Sequence, residues 1–183
     1  MTLQPRQDAY PIDALLPDLC ARFQPGRTLL LQAPPGAGKT TRVPLALIGA
    51  LGDEIRRDGR IWMIEPRRLA ARAAAARLAS SLEEEVGQRI GFAVRGEQRR
   101  SARTQVEVIT DGLFLRRLQA DPSLDGVSCV LFDEFHERRR DADLAFALLR
   151  EAAPLLRPDL SLMLMSATLD IADLQARLPE ATL

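Results

Sequence analysis

An apolar triplet, Leu29-Leu30-Leu31, runs into Ala33-Pro34-Pro35-Gly36-Ala37-Gly38-Lys39-Thr40 and then into a helical pattern. No other stretch of the chain constrains its fold as tightly. It fits the phosphate-binding pattern GxxxxGK[ST], with Ala33 in the first glycine position. Glycines 36 and 38 let the backbone approach a phosphate without interference from a Cβ. Successive N–H groups then face the anion, helped by the positive end of the following helix. Lys39 is placed to neutralise the β- and γ-phosphates of a nucleotide, and the Thr40 hydroxyl to coordinate Mg²⁺. Pro35, Gly36, Ala37 and Thr41 complete the predicted cradle. One lysine occurs among the 25 Lys plus Arg, and it is Lys39.

Strand-like apolar runs alternate with longer helical patterns around this loop. The strand candidates are Thr28–Gln32, Arg60–Ile64, Gly91–Val94, Val106–Thr110, Val127–Phe132 and Leu160–Met165. Several are almost continuously hydrophobic, as strands covered on both faces are. Helices are predicted over Ile12–Phe23, Thr40–Leu51, Leu69–Leu82, Leu113–Gln119, Asp141–Leu156 and Ile171–Leu178. The alternation predicts an α/β fold, a mostly parallel sheet with helices on both faces. Ligands in such folds collect at the carboxyl ends of the strands. The polar, glycine-bearing and acidic clusters of this chain follow its strands directly.

Val130-Leu131-Phe132-Asp133-Glu134 is an apolar strand ending in two acids. Buried carboxylates need a cation partner. Asp133 is predicted to hold Mg²⁺ with Thr40, and Glu134 to serve the same metal site and polarise a water attacking the γ-phosphate. A helix start with acids serving its dipole is the plainer alternative. His136 is the only histidine. With no second histidine and no CxxC spacing, a relay role beside the hydrolysis site is expected of it, rather than metal ligation.

These segments, in this order, resemble the motifs of the DEAH/RHA group of superfamily 2 helicases. Motif I resembles Ala33–Thr40, motif Ia Glu65-Pro66-Arg67-Arg68, motif Ib Thr110-Asp111-Gly112, motif II Asp133-Glu134-Phe135-His136 and motif III Ser166-Ala167-Thr168. Leu31–Lys39 and Asp133–Arg138 look most like the bacterial HrpB-type branch. Phe135 stands where the general signature has alanine, so packing beneath this loop must differ.

The resemblance implies a RecA-like P-loop NTPase domain that binds and hydrolyses ATP with Mg²⁺. It implies that Arg67, Arg68, Thr110, Asp111 and Gly112 grip single-stranded RNA or DNA by its phosphates, that Arg77 packs on the nucleobase, and that Ser166, Ala167 and Thr168 couple hydrolysis to domain movement. Solvated arginines at Arg67, Arg68 and Arg77, and a simple helix cap at Thr168 or Asp170, are the plainer readings. The family's second RecA-like domain carries an arginine-finger motif resembling QxxGRxGR, which nothing here matches. The expectation is one domain, 1–183, of a longer helicase, acting with that second domain.

Composition narrows the alternatives. Lys plus Arg and Asp plus Glu both number 25, so any grip on nucleic acid must come from local arginine clusters. The runs Arg138–Arg140 and Arg99, Arg100, Arg103 are assigned no site role. Cys20 and Cys129 sit in apolar contexts and read as buried thiols in a reducing compartment. No run approaches the ~18 apolar residues of a membrane span, and the start of the chain has no signal-peptide pattern. A cytoplasmic protein is expected. A nucleotide switch without translocation, or a scaffold with a decayed site, would leave Glu65–Arg68 or the intact Lys39, Thr40, Asp133 and Glu134 unexplained.

Overall fold

The computed structural model describes residues 10–57, 59–168, 181 and 182, with the side chains of 51–57 left aside. A 3-10 turn at Pro11–Ala14 leads into α1 (Leu16–Arg22). There follow β1 (Thr28–Gln32), α2 (Lys39–Arg57), β2 (Arg60–Glu65), α3 (Arg68–Ser81), β3 (Ile90–Val94), β4 (Glu97–Arg99), β5 (Val106–Thr110) and α4 (Asp111–Ala120). Then come β6 (Val127–Phe132), a second 3-10 turn at Phe135–Glu137, α5 (Arg140–Leu156) and β7 (Ser161–Ser166). The strands form one sheet in the order β1-β7-β6-β2-β5-β3-β4. Every pairing is parallel except that of β3 with β4.

Strand alternation sends successive side chains to opposite faces, and both faces are dry. Ile61, Met63, Cys129 and Leu131 join Val43 and Leu47 of α2 and the buried alanines of α3 in one core. Trp62, Ile64, Val130 and Phe132 join Phe114 and Leu118 of α4 and Phe146 and Leu149 of α5 in the other. Four small residues, Ala71, Ala74, Ala75 and Ala79, let α3 lie close on the sheet. The expected doubly covered parallel sheet is therefore present.

Several boundaries differ from the sequence reading. The single helix expected over Ile12–Phe23 is two pieces meeting at Leu15. Pro17 has no N–H to continue a helix from residue 13, but it is tolerated in the first turn of a new one. Helix α2 runs on through Gly49 and Gly52 to Arg57, since a helical glycine costs only about 1 kcal/mol. Strand β4 is short, polar and exposed, so no apolar pattern announced it. Helix α4 begins at Asp111, two residues before its predicted start, so the segment Thr110-Asp111-Gly112 is its cap and first turn. The predicted helix Ile171–Leu178, and Asp170 as its cap, lie outside the described residues.

Phe135 explains how the aromatic variant of the acidic motif is accommodated. It is 6% exposed, with its ring edge-on to Phe132 at 6.0 Å and to Phe146 at 5.5 Å between centroids. The pair Phe132–Phe146 closes the triangle at 5.6 Å. The loop after β6 is thus pinned to α5 by a ring. Truncating it leaves a cavity among aromatic walls, and Phe135→Ala should lower unfolding free energy by about 3–5 kcal/mol, as read from urea denaturation. A loss under about 1 kcal/mol would mean that the loop is not anchored there.

Candidate nucleotide-hydrolysis site

The loop after β1 takes its shape from two glycines, with φ of 77° at Gly36 and 98° at Gly38. Ala33 does not have positive φ, so the missing first glycine is not needed for the backbone. Its N–H donates to the Ser166 carbonyl of β7 at 3.1 Å. A Cβ at Gly38 would stand 2.8 Å from the Tyr10 Cβ, and the Ile12 N–H donates to the Ala37 carbonyl at 3.1 Å. The segment before β1 therefore braces the loop from outside. Arg42 continues this brace by donating to Asp13 at 2.6 Å. Pro35 and Gly36 are exposed, Ala37 is buried, and Thr41 donates its hydroxyl to the Gly38 carbonyl at 3.4 Å.

Lys39 is only 3% exposed. Its ammonium donates to the carbonyls of Ala33 at 2.6 Å and Pro34 at 3.2 Å. Facing it are the acids at the end of β6. Thr40 Oγ1 donates to Asp133 Oδ2 at 2.5 Å, and the other oxygen of Asp133 accepts the Glu134 N–H at 2.9 Å. Burial pushes the Asp133 carboxyl up, against the bond from Thr40, the Glu134 N–H and the charge of Lys39, which hold it down. Glu134 is raised by partial burial and by the charge of Asp133 beside it. Its backbone is left-handed, with φ 49°, an uncommon conformation for a non-glycine residue. His136 Nδ1 lies 3.3 Å from Glu134 Oε2, without the geometry of a hydrogen bond.

The third acid of this group was not among the expected site residues. Glu65 ends β2, and the register that sets Ile64 beside Phe132 brings Glu65 level with Asp133. It is 4% exposed. Burial first, then the charge of Asp133 and a hydrogen bond to it, push its pKa up to about 8. A protonated Glu65 thus donates to an ionised Asp133. Motif spacing alone had attached this residue to the strand-gripping segment.

The remaining predicted residues lie along the same rim. Arg67 is exposed and donates from one nitrogen to both oxygens of Glu137, at 3.1 Å each. Arg68 opens α3 and is exposed, as is Arg77 on its third turn. The Arg77 charge is felt at Glu65. Thr110 is buried at the α4 cap. Asp111 turns inward, accepting from the Gly112 N–H at 2.7 Å and from Arg139 Nε at 2.6 Å. The Gly112 N–H is therefore occupied, and a Cβ there would stand 3.1 Å from an Asp141 oxygen. Ser166 donates to the Thr168 carbonyl at 2.7 Å and accepts the Thr168 N–H at 3.2 Å. Among the described residues this turn, with Ala167 at its centre, makes its side-chain bonds within itself rather than to Asp133. The basic runs are also engaged: Arg138 reaches Asp143, and Arg100 joins Arg117 on the fully buried Glu107.

A hydroxyl and a carboxylate bonded to each other, beside the cationic side chain of Lys39, offer hard oxygen donors. No group of three or more His, Cys, Asp or Glu side chains converges as a metal cage among the described residues. Such a two-donor site fits Mg²⁺, which keeps most of its shell as water and phosphate oxygens.

A family profile described as DEAD/DEAH box helicase matches residues 15–176. The chain is 47% identical to the ATP-dependent RNA helicase HrpB of Escherichia coli (strain K12) over 94% of its own length and 21% of that protein. It is 40% identical to the ATP-dependent RNA helicase HrpA homolog of Haemophilus influenzae, over 74% of this chain and 10% of that one. It is 38% identical to DExH-box ATP-dependent RNA helicase DExH1 of Arabidopsis thaliana, over 79% and 14%. The crystal structure of the E. coli DExH-box NTPase HrpB superposes with a TM-score of 0.88 at 45% identity, covering 97% of this chain and 22% of that one. The chain spans about a fifth of the length of the HrpB relative it matches.

The buried acids make a pH prediction for the ligand-free chain. Glu65 binds its proton more tightly folded, about 8 against an ordinary 4.5. Its stabilising contribution is complete below 4.5 and disappears as pH rises through about 8. Between these limits the folded state holds one more proton, and stability falls by about 1.4 kcal/mol per pH unit on this account. Asp133 is shifted in the same direction. Urea denaturation from pH 5 to 8 should show this fall, and Glu65→Gln should remove most of it. Equal slopes for the two proteins would contradict the assignment.

Proposed function

Because the chain belongs to the DEAD/DEAH box helicase family, we propose that it is the RecA-like nucleotide-binding and hydrolysis domain of an ATP-dependent RNA helicase of DExH type. The observation that carries this is the bond from Thr40 to Asp133. It joins the first turn of α2 to the end of β6 across the intervening β7, so that hydroxyl and carboxylate face one point beside Lys39. The proposed cofactor is Mg²⁺ and the proposed nucleotide is ATP. RNA is favoured over DNA as the strand because the relatives are named as RNA helicases.

In this reading the loop from Pro35 to Thr41 holds the phosphates through the N–H groups of Gly36, Gly38, Lys39 and Thr40. The Ala37 and Thr41 N–H groups brace it by donating to the Pro34 and Gly38 carbonyls at 3.2 Å each. Lys39 exchanges the carbonyls of Ala33 and Pro34 for phosphate oxygens. Thr40 and Asp133, with Glu134 near them, hold Mg²⁺, which draws charge from the phosphate oxygens when bound. Glu134 takes the proton of the attacking water, its raised pKa suiting a base in a partly dry site. Glu65 keeps its own proton and, by donating a hydrogen bond through it, keeps Asp133 ionised and oriented. His136 relays between Glu134 and the neighbouring loops. Arg77 lies against the nucleobase. Arg67 and Arg68, with Thr110, Asp111 and Gly112 shaping the adjacent helix start, hold the strand by its phosphates, a sequence-independent and salt-sensitive grip. Ser166, Ala167 and Thr168 pass the state of the site to a second RecA-like domain, the proposed source of the arginine finger.

No helix among the described residues is long and apolar enough to cross a membrane. Cys129 is buried and Cys20 partly so, and both are free thiols, which fits the proposed cytoplasmic location.

Calorimetric titration of Mg²⁺–ADP tests the phosphate cradle. The wild-type chain should bind, and Lys39→Ala should weaken binding by at least about tenfold, the scale of a charge-assisted contact. Equal affinity would remove Lys39 from the mechanism. An arginine finger contributes about 10³–10⁵ in rate in related phosphoryl transfers. The 183-residue chain by itself should therefore turn over ATP negligibly and separate no duplex; unwinding by the purified chain would refute this.

A further inference from the structure

The loop from Asp133 to Arg139 carries the proposed water-activating carboxylate, and its backbone is held in an unfavourable shape. Both Glu134 and Arg138 have φ of 49°, and they flank the 3-10 turn Phe135–Glu137. A non-glycine residue keeps a left-handed conformation where its surroundings over-determine it. Three contacts do so here. Phe135 fills the gap between Phe132 and Phe146. Arg139 reaches Asp111 in the first turn of α4. Glu137 accepts from Arg67, which lies between β2 and α3.

The two ion pairs run from this loop to the two segments proposed to hold a strand, and they differ in burial. The Asp111 side chain is 9% exposed, so losing Arg139 would leave a buried carboxylate without a cation. That tie is fixed. The Arg67 side chain is 67% exposed and Glu137 is 27% exposed, so their tie is weak and can exchange. Arg67 also spends only one nitrogen on Glu137. A phosphate engaging the guanidinium with two nitrogens makes the stronger contact, and its charge repels Glu137. Glu137 is in turn bonded through its N–H to the Glu134 carbonyl at 2.9 Å.

We propose that Glu137 is a positioning residue that holds Arg67 in the absence of nucleic acid, and that Arg67 moves from Glu137 to a backbone phosphate when a strand arrives. The 3-10 turn is released on one side only, pivoting on Arg139–Asp111, and Glu134 is repositioned through it. This inference rests on the strand-gripping role proposed for Arg67.

His136 is the only histidine and sits inside the 3-10 turn, so its imidazole proton resonances report on this loop alone. The experiment uses the 183-residue chain, nucleotide-free, with a fluorescent single-stranded oligouridine as probe for anisotropy and the same strand unlabelled for NMR. In the wild type, the strand should shift the His136 resonances. Glu137→Gln should show that shift without the strand and bind the strand about twofold to fivefold more tightly, the worth of an exposed pair. Arg67→Ala should bind more weakly, and adding Glu137→Gln to it should change affinity no further. A gain from Glu137→Gln that persists beside Arg67→Ala is a general charge effect and overturns the exchange. Resonances unmoved by the strand in the wild type, with Arg67→Ala still weakening binding, overturn the exchange and leave the strand-gripping role intact. Unchanged affinity in Arg67→Ala removes that role and the exchange together.

Discussion

Asp133 lies at the end of an apolar strand with only 6% of its surface exposed, and an ionised carboxylate in that position is costly unless its oxygens are satisfied. Each oxygen is. One takes the Thr40 hydroxyl and the other the Glu134 N–H, while Lys39 supplies charge from the facing loop. Glu65 is forced in turn to keep its proton, because two ionised carboxylates cannot share so dry a space. The positions of the phosphate loop, the acidic loop and the end of β2 all follow from satisfying this one group.

The sheet order makes the arrangement possible. Strand β7 separates β1 from β6, and this spacing sets the first turn of α2 opposite the β6 carboxylates without crowding. The same intervening strand fastens the phosphate loop, since its Ser166 carbonyl receives the Ala33 N–H. On the other side, the parallel register of β2 with β6 carries Glu65 to Asp133. Aromatic edges from Trp62 through Phe114 to Phe132 stiffen the core beneath. The chemistry stands on strand ends, while the adaptable parts are the loops above them.

What could be read from the sequence was whatever is encoded locally. Lys39, Thr40, Asp133 and the doubly buried strands declare themselves because spacing and apolar runs are properties of short windows. Glu65 was named only as a member of a motif, since its burial depends on the register of two strands more than sixty residues apart in the chain. Asp111 and Arg139 illustrate the same limit. Read separately, one is an acid near a helix start and the other lies in a basic run resembling a solvated surface; the fold brings them to 2.6 Å. Strand β4 was invisible because all three of its residues are polar and exposed. Ala33 erred the other way: the pattern marked it as a departure, yet its position has no need of glycine's freedom.

The burial of Lys39 against its own loop also shapes how the protein meets reagents. It is the sole lysine, so the bond from Lys39 to Thr40 is the one peptide bond in this sequence open to a protease that cuts after lysine. The ε-amine, closed in by two carbonyls, is also the only side-chain amine that acylating labels can meet. Digestion and labelling thus converge on the phosphate loop, and both become gauges of whether that loop is folded.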